Sequence, residues 1–183
     1  MPCVPLPNRV AVEQTKPAKD RRRQRLGAAI PPFREFIFGA VGWGAMMALS
    51  ALLAIALRNG LLTDRLMELL VVYFFGGAFA WPFMIPLARV LAFRKSVETR
   101  FAAFFLTLSV GTMAMTAFLF AMDYRLFYSR WHAPFGSIVW MFQFVFTSAS
   151  AVYQFAVLGS RLFLPLGLLF LVATSLYLAK RMR

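Results

Sequence analysis

One cysteine, one histidine and seven acidic residues are all that this 183-residue chain offers to metal, redox or acid–base chemistry. The lone Cys3 excludes an intramolecular disulfide and any multi-cysteine metal or iron–sulfur centre. The lone His132 excludes bis-histidine haem and a two-histidine metal site within one chain. Phosphate-cradling glycine loops, HExxH zinc motifs and G-x-S-x-G elbows are also absent. No carboxylate sits at the centre of an apolar run, which argues against a proton-coupled pump built on buried acids. Asp123, Ser129 and His132 lie close in sequence, but nothing in their spacing organises them as a nucleophilic set. The sequence thus points to no catalytic, cofactor-binding or metal-ligating residue, and to a protein that is not an enzyme.

What the chain has instead is apolar length. Hydrophobic residues make up 61% of it, more apolar surface than a water-soluble core of this size can hide, so lipid is the expected solvent. Apolar runs occupy residues 36–57, 66–88, 101–122, 135–158 and 162–179. Each is close to the roughly 20 helical residues that cross a hydrocarbon core at about 1.5 Å per residue. The expected fold class is therefore all-α, a polytopic transmembrane helical bundle with five spans over residues 34–183. The alternative is four spans plus a re-entrant or interfacial segment, because the last run is short and has Pro165 in its first turn. From 135 to 179 is about 68 Å of helix, too long for one crossing, which favours five.

Twenty Lys and Arg face seven Asp and Glu, a formal charge of +13. In a soluble protein that balance would point to nucleic acid. Here the basic residues flank the apolar runs, so membrane topology accounts for them and no nucleic-acid partner is expected. Arg21, Arg22, Arg23 and Arg25 precede the first run, and Arg89, Arg94, Lys95 and Arg100 surround the connection from the second run to the third. Two spans separate these clusters, so both are expected in the cytoplasm. Residues 1–33, with Pro2, Pro5, Pro7 and Pro17, read as a disordered basic cytoplasmic tail able to touch anionic headgroups. Five spans would leave Lys180-Arg181-Met182-Arg183 outside, against the usual bias; four would bring it inside. The preference for arginine over lysine, with abundant alanine, points to a bacterial inner membrane.

Small and polar residues fall in register along the runs. Ala40, Gly44 and Ala48 recur every four residues on the first span, a candidate helix-packing stripe that lets a neighbouring backbone approach. In the second span Gly76-Gly77, followed by Pro82 and Pro86, weakens the hydrogen-bond ladder, and a kink near Trp81 is expected. Arg65 and Glu68, three residues apart, read as an interfacial ion pair. Ser109, Thr112 and Thr116 share a sector of about 60° on the third span, and Gln143, Thr147, Ser150 and Gln154 share one of about 60° on the fourth. An unpartnered glutamine amide is costly in hydrocarbon, so this candidate polar face should avoid lipid. Its expected complement is the Ser109, Thr112 and Thr116 row, or the same face of a second copy. Between these spans Tyr124, Phe127, Tyr128 and Trp131 interleave with Arg125 and Arg130, as in a short interfacial helix or loop.

Packing stripes and polar glue outnumber reactive groups. The expected function is that of a non-catalytic integral membrane protein, an accessory, assembly or scaffold subunit in contact with other membrane subunits or with itself. The alternative is a small oligomeric permease or lipid flippase, with the kinked second span and the Gln143 to Gln154 face lining its path. A lipid-modifying enzyme ranks third.

Overall fold

Hydrocarbon offers no partner to an open backbone N–H or C=O, and a helix satisfies both within one segment. The computed structural model describes residues 32–58 and 64–182, and among them are five α-helices, two short 3-10 segments and no strand. The helices are α1 (Phe33–Ala56), α2 (Leu66–Ala92), α3 (Val97–Tyr128), α4 (Ile138–Val157) and α5 (Leu166–Arg181). Four stretches, Phe33–Ala56, Leu66–Ala92, Val97–Trp131 and Ile138–Phe163, are long and apolar enough to cross a membrane. The chain is thus a helical bundle of an integral membrane protein. The basic tail expected over residues 1–33 lies outside the described residues, apart from Pro32 and Phe33.

Local chemistry sets the boundaries. α1 begins directly after Pro32, whose fixed φ of −58° suits a helix entry. Ser96 caps α3, its hydroxyl accepting the Thr99 N–H at 3.5 Å, and Ser137 caps α4 by accepting the Trp140 N–H at 3.1 Å. α2 continues from Leu66 to Ala92 through both Pro82 and Pro86. α3 outruns its apolar run: at 32 residues it is about 48 Å long. The segment from Asp123 to Tyr128 therefore belongs to α3, and only Ser129–Trp131 forms a separate 3-10 turn.

Cross-chain contacts fix the direction of each helix. Near the start of α1, Glu35 accepts from the Arg181 guanidinium at the end of α5 and lies 3.7 Å from Arg89 near the end of α2. Arg100, in the first turn of α3, donates to the Met182 carbonyl. The starts of α1 and α3 and the ends of α2 and α5 thus meet at one end of the bundle. Higher up, the Ser50 hydroxyl donates to the Leu162 carbonyl at 3.1 Å and accepts the Gly167 N–H at 2.8 Å. The Tyr73 hydroxyl donates to the Gly159 carbonyl at 2.5 Å. α5 therefore runs antiparallel to α1, from the level of Ser50 down to Glu35. α4 lies beyond it, with Phe155 6.2 Å from Phe120 and the Phe144 ring 3.9 Å from the Arg125 guanidinium.

α4 and α5 consequently share the last traverse of the bundle. α5 has 16 residues, about 24 Å, short of a hydrocarbon core of about 30 Å. Of the two arrangements expected from the sequence, the four long apolar stretches and the short α5 are consistent with four crossings and a shallow segment. α2 is the central element, packed on α1 and α3. Trp43, Met47, Ile85, Phe104, Leu108 and Leu171 form the main buried cluster, and Ala51, Tyr73 and Phe155 a second one nearer the far end.

Candidate functional site

The crossing of α1 and α2 is built on glycine. A Cβ on Gly44 would lie 2.6 Å from the Phe74 carbonyl oxygen, and one on Gly77 would lie 3.0 Å from the Gly44 Cα. These positions bring the backbones of α1 and α2 together. Ala40 packs against the main buried cluster, and Ala48 is half-buried. Gly76 faces the other way, against Thr116 of α3. Gly76-Gly77 is therefore a two-sided seam, a role that a reading in terms of a weakened helix missed. The signal was present: Gly76, Ala80, Ala88 and Ala92 are small, lie at multiples of four on α2, and are all buried.

One hydroxyl of α3 joins helices as well. Thr112 accepts the Trp43 indole N–H at 2.9 Å inside the bundle, and the Thr116 hydroxyl donates to the Thr112 carbonyl at 2.8 Å. Ser109 is half-buried beside Trp43 and Gly167 in a cavity of about 230 Å³ between α1, α3 and α5. These residues turn toward α1, α2 and α5, so the expected pairing with the α4 row does not form. The reason is height: α4 meets α3 through Ala151, Phe155 and Phe120, about two turns beyond Thr112.

The α4 row itself is not gathered into one site. Gln143 accepts the Ala133 N–H at 2.8 Å through Oε1, which ties down the connection that follows α3. The Thr147 hydroxyl donates to the Gln143 carbonyl at 2.6 Å, and Ser150 is exposed. Gln154 borders a cleft of about 460 Å³ with Arg65, Glu68, Asp123 and Tyr124. Two other joints had a weaker signal in the sequence. Ser50 and Tyr73 are single hydroxyls in apolar runs, and the general need of buried polar groups for partners was the only clue to them.

Reactive groupings are sparse. The Ser129 hydroxyl donates to the Leu126 carbonyl of its own turn at 2.8 Å, and Asp123 is exposed. Among the described residues no three His, Cys, Asp or Glu side chains come together as a metal-sized cluster. Arg65 and Glu68 form a solvent-facing pair at 3.8 Å, a geometry that contributes little stability. The densest charge lies at the opposite end, where Arg89, Arg94, Arg100 and Arg181 border a cavity of about 590 Å³. A crevice of about 500 Å³ between α1 and α5 adjoins it. No protein family, curated protein or solved structure matches this chain.

Proposed function

We propose that the chain is a non-catalytic subunit that scaffolds or assembles a complex in a bacterial inner membrane, crossing it four times with the N-terminus in the cytoplasm. The observation that carries this reading is α4. Only 11% of its apolar stretch is buried by the rest of the chain, against 28%, 39% and 33% for α1, α2 and α3. It presents Phe142, Val145, Phe146 and Tyr153 outward, with the Ser150 hydroxyl exposed beside them. Hydrocarbon satisfies the rings but not the hydroxyl, whereas a helix of a neighbouring membrane subunit satisfies both. The interior supports the same reading, since Ser50, Tyr73 and Thr112 are engaged in joints between helices and Thr116 bonds back within α3, where a permease needs wetted groups. Arg89, Arg94, Lys95 and Arg100 stand at the end where α1 begins, which favours that end as cytoplasmic.

Purification in mild detergent is expected to retain a second membrane subunit at fixed stoichiometry. Phe142→Ala combined with Phe146→Ala should release it while the thermal midpoint of this chain stays within a few degrees. Those rings are 61% and 66% exposed and stack on each other, so little of the chain's own packing depends on them. A lone chain or homo-oligomer that moves solute in liposomes would contradict the assignment and favour the permease reading.

A further inference from the structure

We propose that the bundle end where α1, α2, α3 and α5 meet holds one anionic glycerophospholipid, with its phosphate among Arg89, Arg94, Arg100 and Arg181 and one acyl chain in the crevice between α1 and α5. The site is separate from the outward face of α4. It rests only on the chain being embedded in a membrane. Four guanidinium groups border the headgroup cavity. Among the described residues Glu35 is the one carboxylate lining either cavity, and it is already engaged by Arg181 and Arg89. The Nε atoms of Arg89 and Arg100 are buried without a hydrogen-bond partner. Guanidinium groups offer five donors in a fixed fork, which suits phosphate oxygens.

The second cavity identifies the source of that phosphate. It shares Arg89, Leu178 and Arg181 with the first and continues between apolar walls that include Phe38, Trp43, Met46 and Tyr177. From Glu35 to Met46 along α1 is about 17 Å, close to half of a hydrocarbon core of about 30 Å, the depth of a single leaflet. A free phosphate has no use for such a crevice; an acyl chain fills it. Trp81, 8% exposed, lines the crevice, and its buried indole N–H has no hydrogen-bond partner. Gly42 forms open floor, since a Cβ there would meet nothing within 4 Å.

Two substitutions separate head from chain. Arg94 has a left-handed φ of 58°, which glycine adopts freely, so Arg94→Gly removes a guanidinium and keeps the turn. Gly42→Leu fills the crevice floor. The full chain in detergent is titrated with dioleoyl phosphatidylglycerol, with dioleoyl phosphatidylcholine and with inorganic phosphate, and bound adducts are read by native mass spectrometry. Phosphatidylglycerol is expected to bind at least about tenfold more tightly than phosphatidylcholine, the scale of one or two charge-assisted hydrogen bonds. Inorganic phosphate should bind far more weakly than phosphatidylglycerol. Arg94→Gly should lower phosphatidylglycerol affinity by about fivefold to tenfold. Gly42→Leu should weaken both lipids and leave phosphate unaffected. Equal binding of the two lipids would overturn the proposal, as would phosphate matching phosphatidylglycerol, which would mark an anion site without a chain. Unchanged lipid binding in both correctly folded variants would overturn it too.

Discussion

A reporter fused after Arg183 is expected to give the same sidedness as one placed after Arg100, and the opposite of one placed after Ser129. The expectation follows from two ties across the chain. Arg181 holds Glu35 at the start of α1, and Arg100 at the start of α3 holds the Met182 carbonyl. An odd number of full crossings would separate those partners by the thickness of the bundle. Four crossings also bring Lys180 and Arg181 to the side of Arg89, Arg94 and Lys95, which removes the conflict with the positive-inside bias that five spans create. A fusion after Arg183 that agrees with the one after Ser129 would show that α5 leaves on the far side and that the ties do not form in the membrane.

Gly44→Leu should strongly destabilise the bundle. Its Cβ alone would meet the Phe74 carbonyl oxygen at 2.6 Å and the Ala78 Cβ at 3.1 Å. The first obstacle is backbone, so it cannot rotate aside, and the rest of the leucine must force α1 and α2 apart. Overpacking costs about 1 to 3 kcal/mol in a core that can adjust, and a backbone obstacle puts this site at or above the top of that range. Gly42→Ala is the matched control on the same helix, with open space at its Cβ. It should be neutral or slightly stabilising, since alanine is favoured over glycine in a helix by about 0.5 to 1 kcal/mol. Thermal unfolding in detergent reads both. A midpoint unchanged in Gly44→Leu would show that the α1–α2 crossing is not closely packed.

Run length was the most legible feature of the sequence, because the backbone requirement of hydrocarbon turns an apolar stretch into a helix almost regardless of its neighbours. All five runs became helices, with ends moved by caps such as Ser96 and Ser137 or, for α3, by helix continuing into the aromatic belt. What a single run does not carry is the rotation and height of its neighbour. Periodicity placed Thr112 and Thr116 on one face of α3, yet it did not show that Trp43 of α1 supplies the donor. It likewise aligned Gln143 with Gln154 on α4, while the register that lifts α4 beyond the α3 hydroxyls depends on Tyr73 and Ser50 gripping the Gly159–Phe163 turn and its sequel. Hydropathy counted lengths and did not reveal that α4 and α5 share one traverse. Gly76-Gly77 read as a weak point because propensity was weighed without the two backbones that close on it.

We propose that the bundle interior is dry: Ser50, Tyr73 and Thr112 join helices, Thr116 bonds within α3, and the Ser175 hydroxyl is buried without a hydrogen-bond partner. Reaction with a membrane-impermeant maleimide tests it, using single cysteines at Ser50, Thr112, Thr116 and Ser175 in a Cys3→Ser background, with Ser129→Cys as the exposed reference. All four interior positions are buried, with relative exposures of 0%, 3%, 0% and 0%. Rapid labelling is expected at position 129 and negligible labelling at the interior four in the folded protein. Ready labelling at 112 and 116, graded by depth, would contradict it and establish a water-filled route through the bundle.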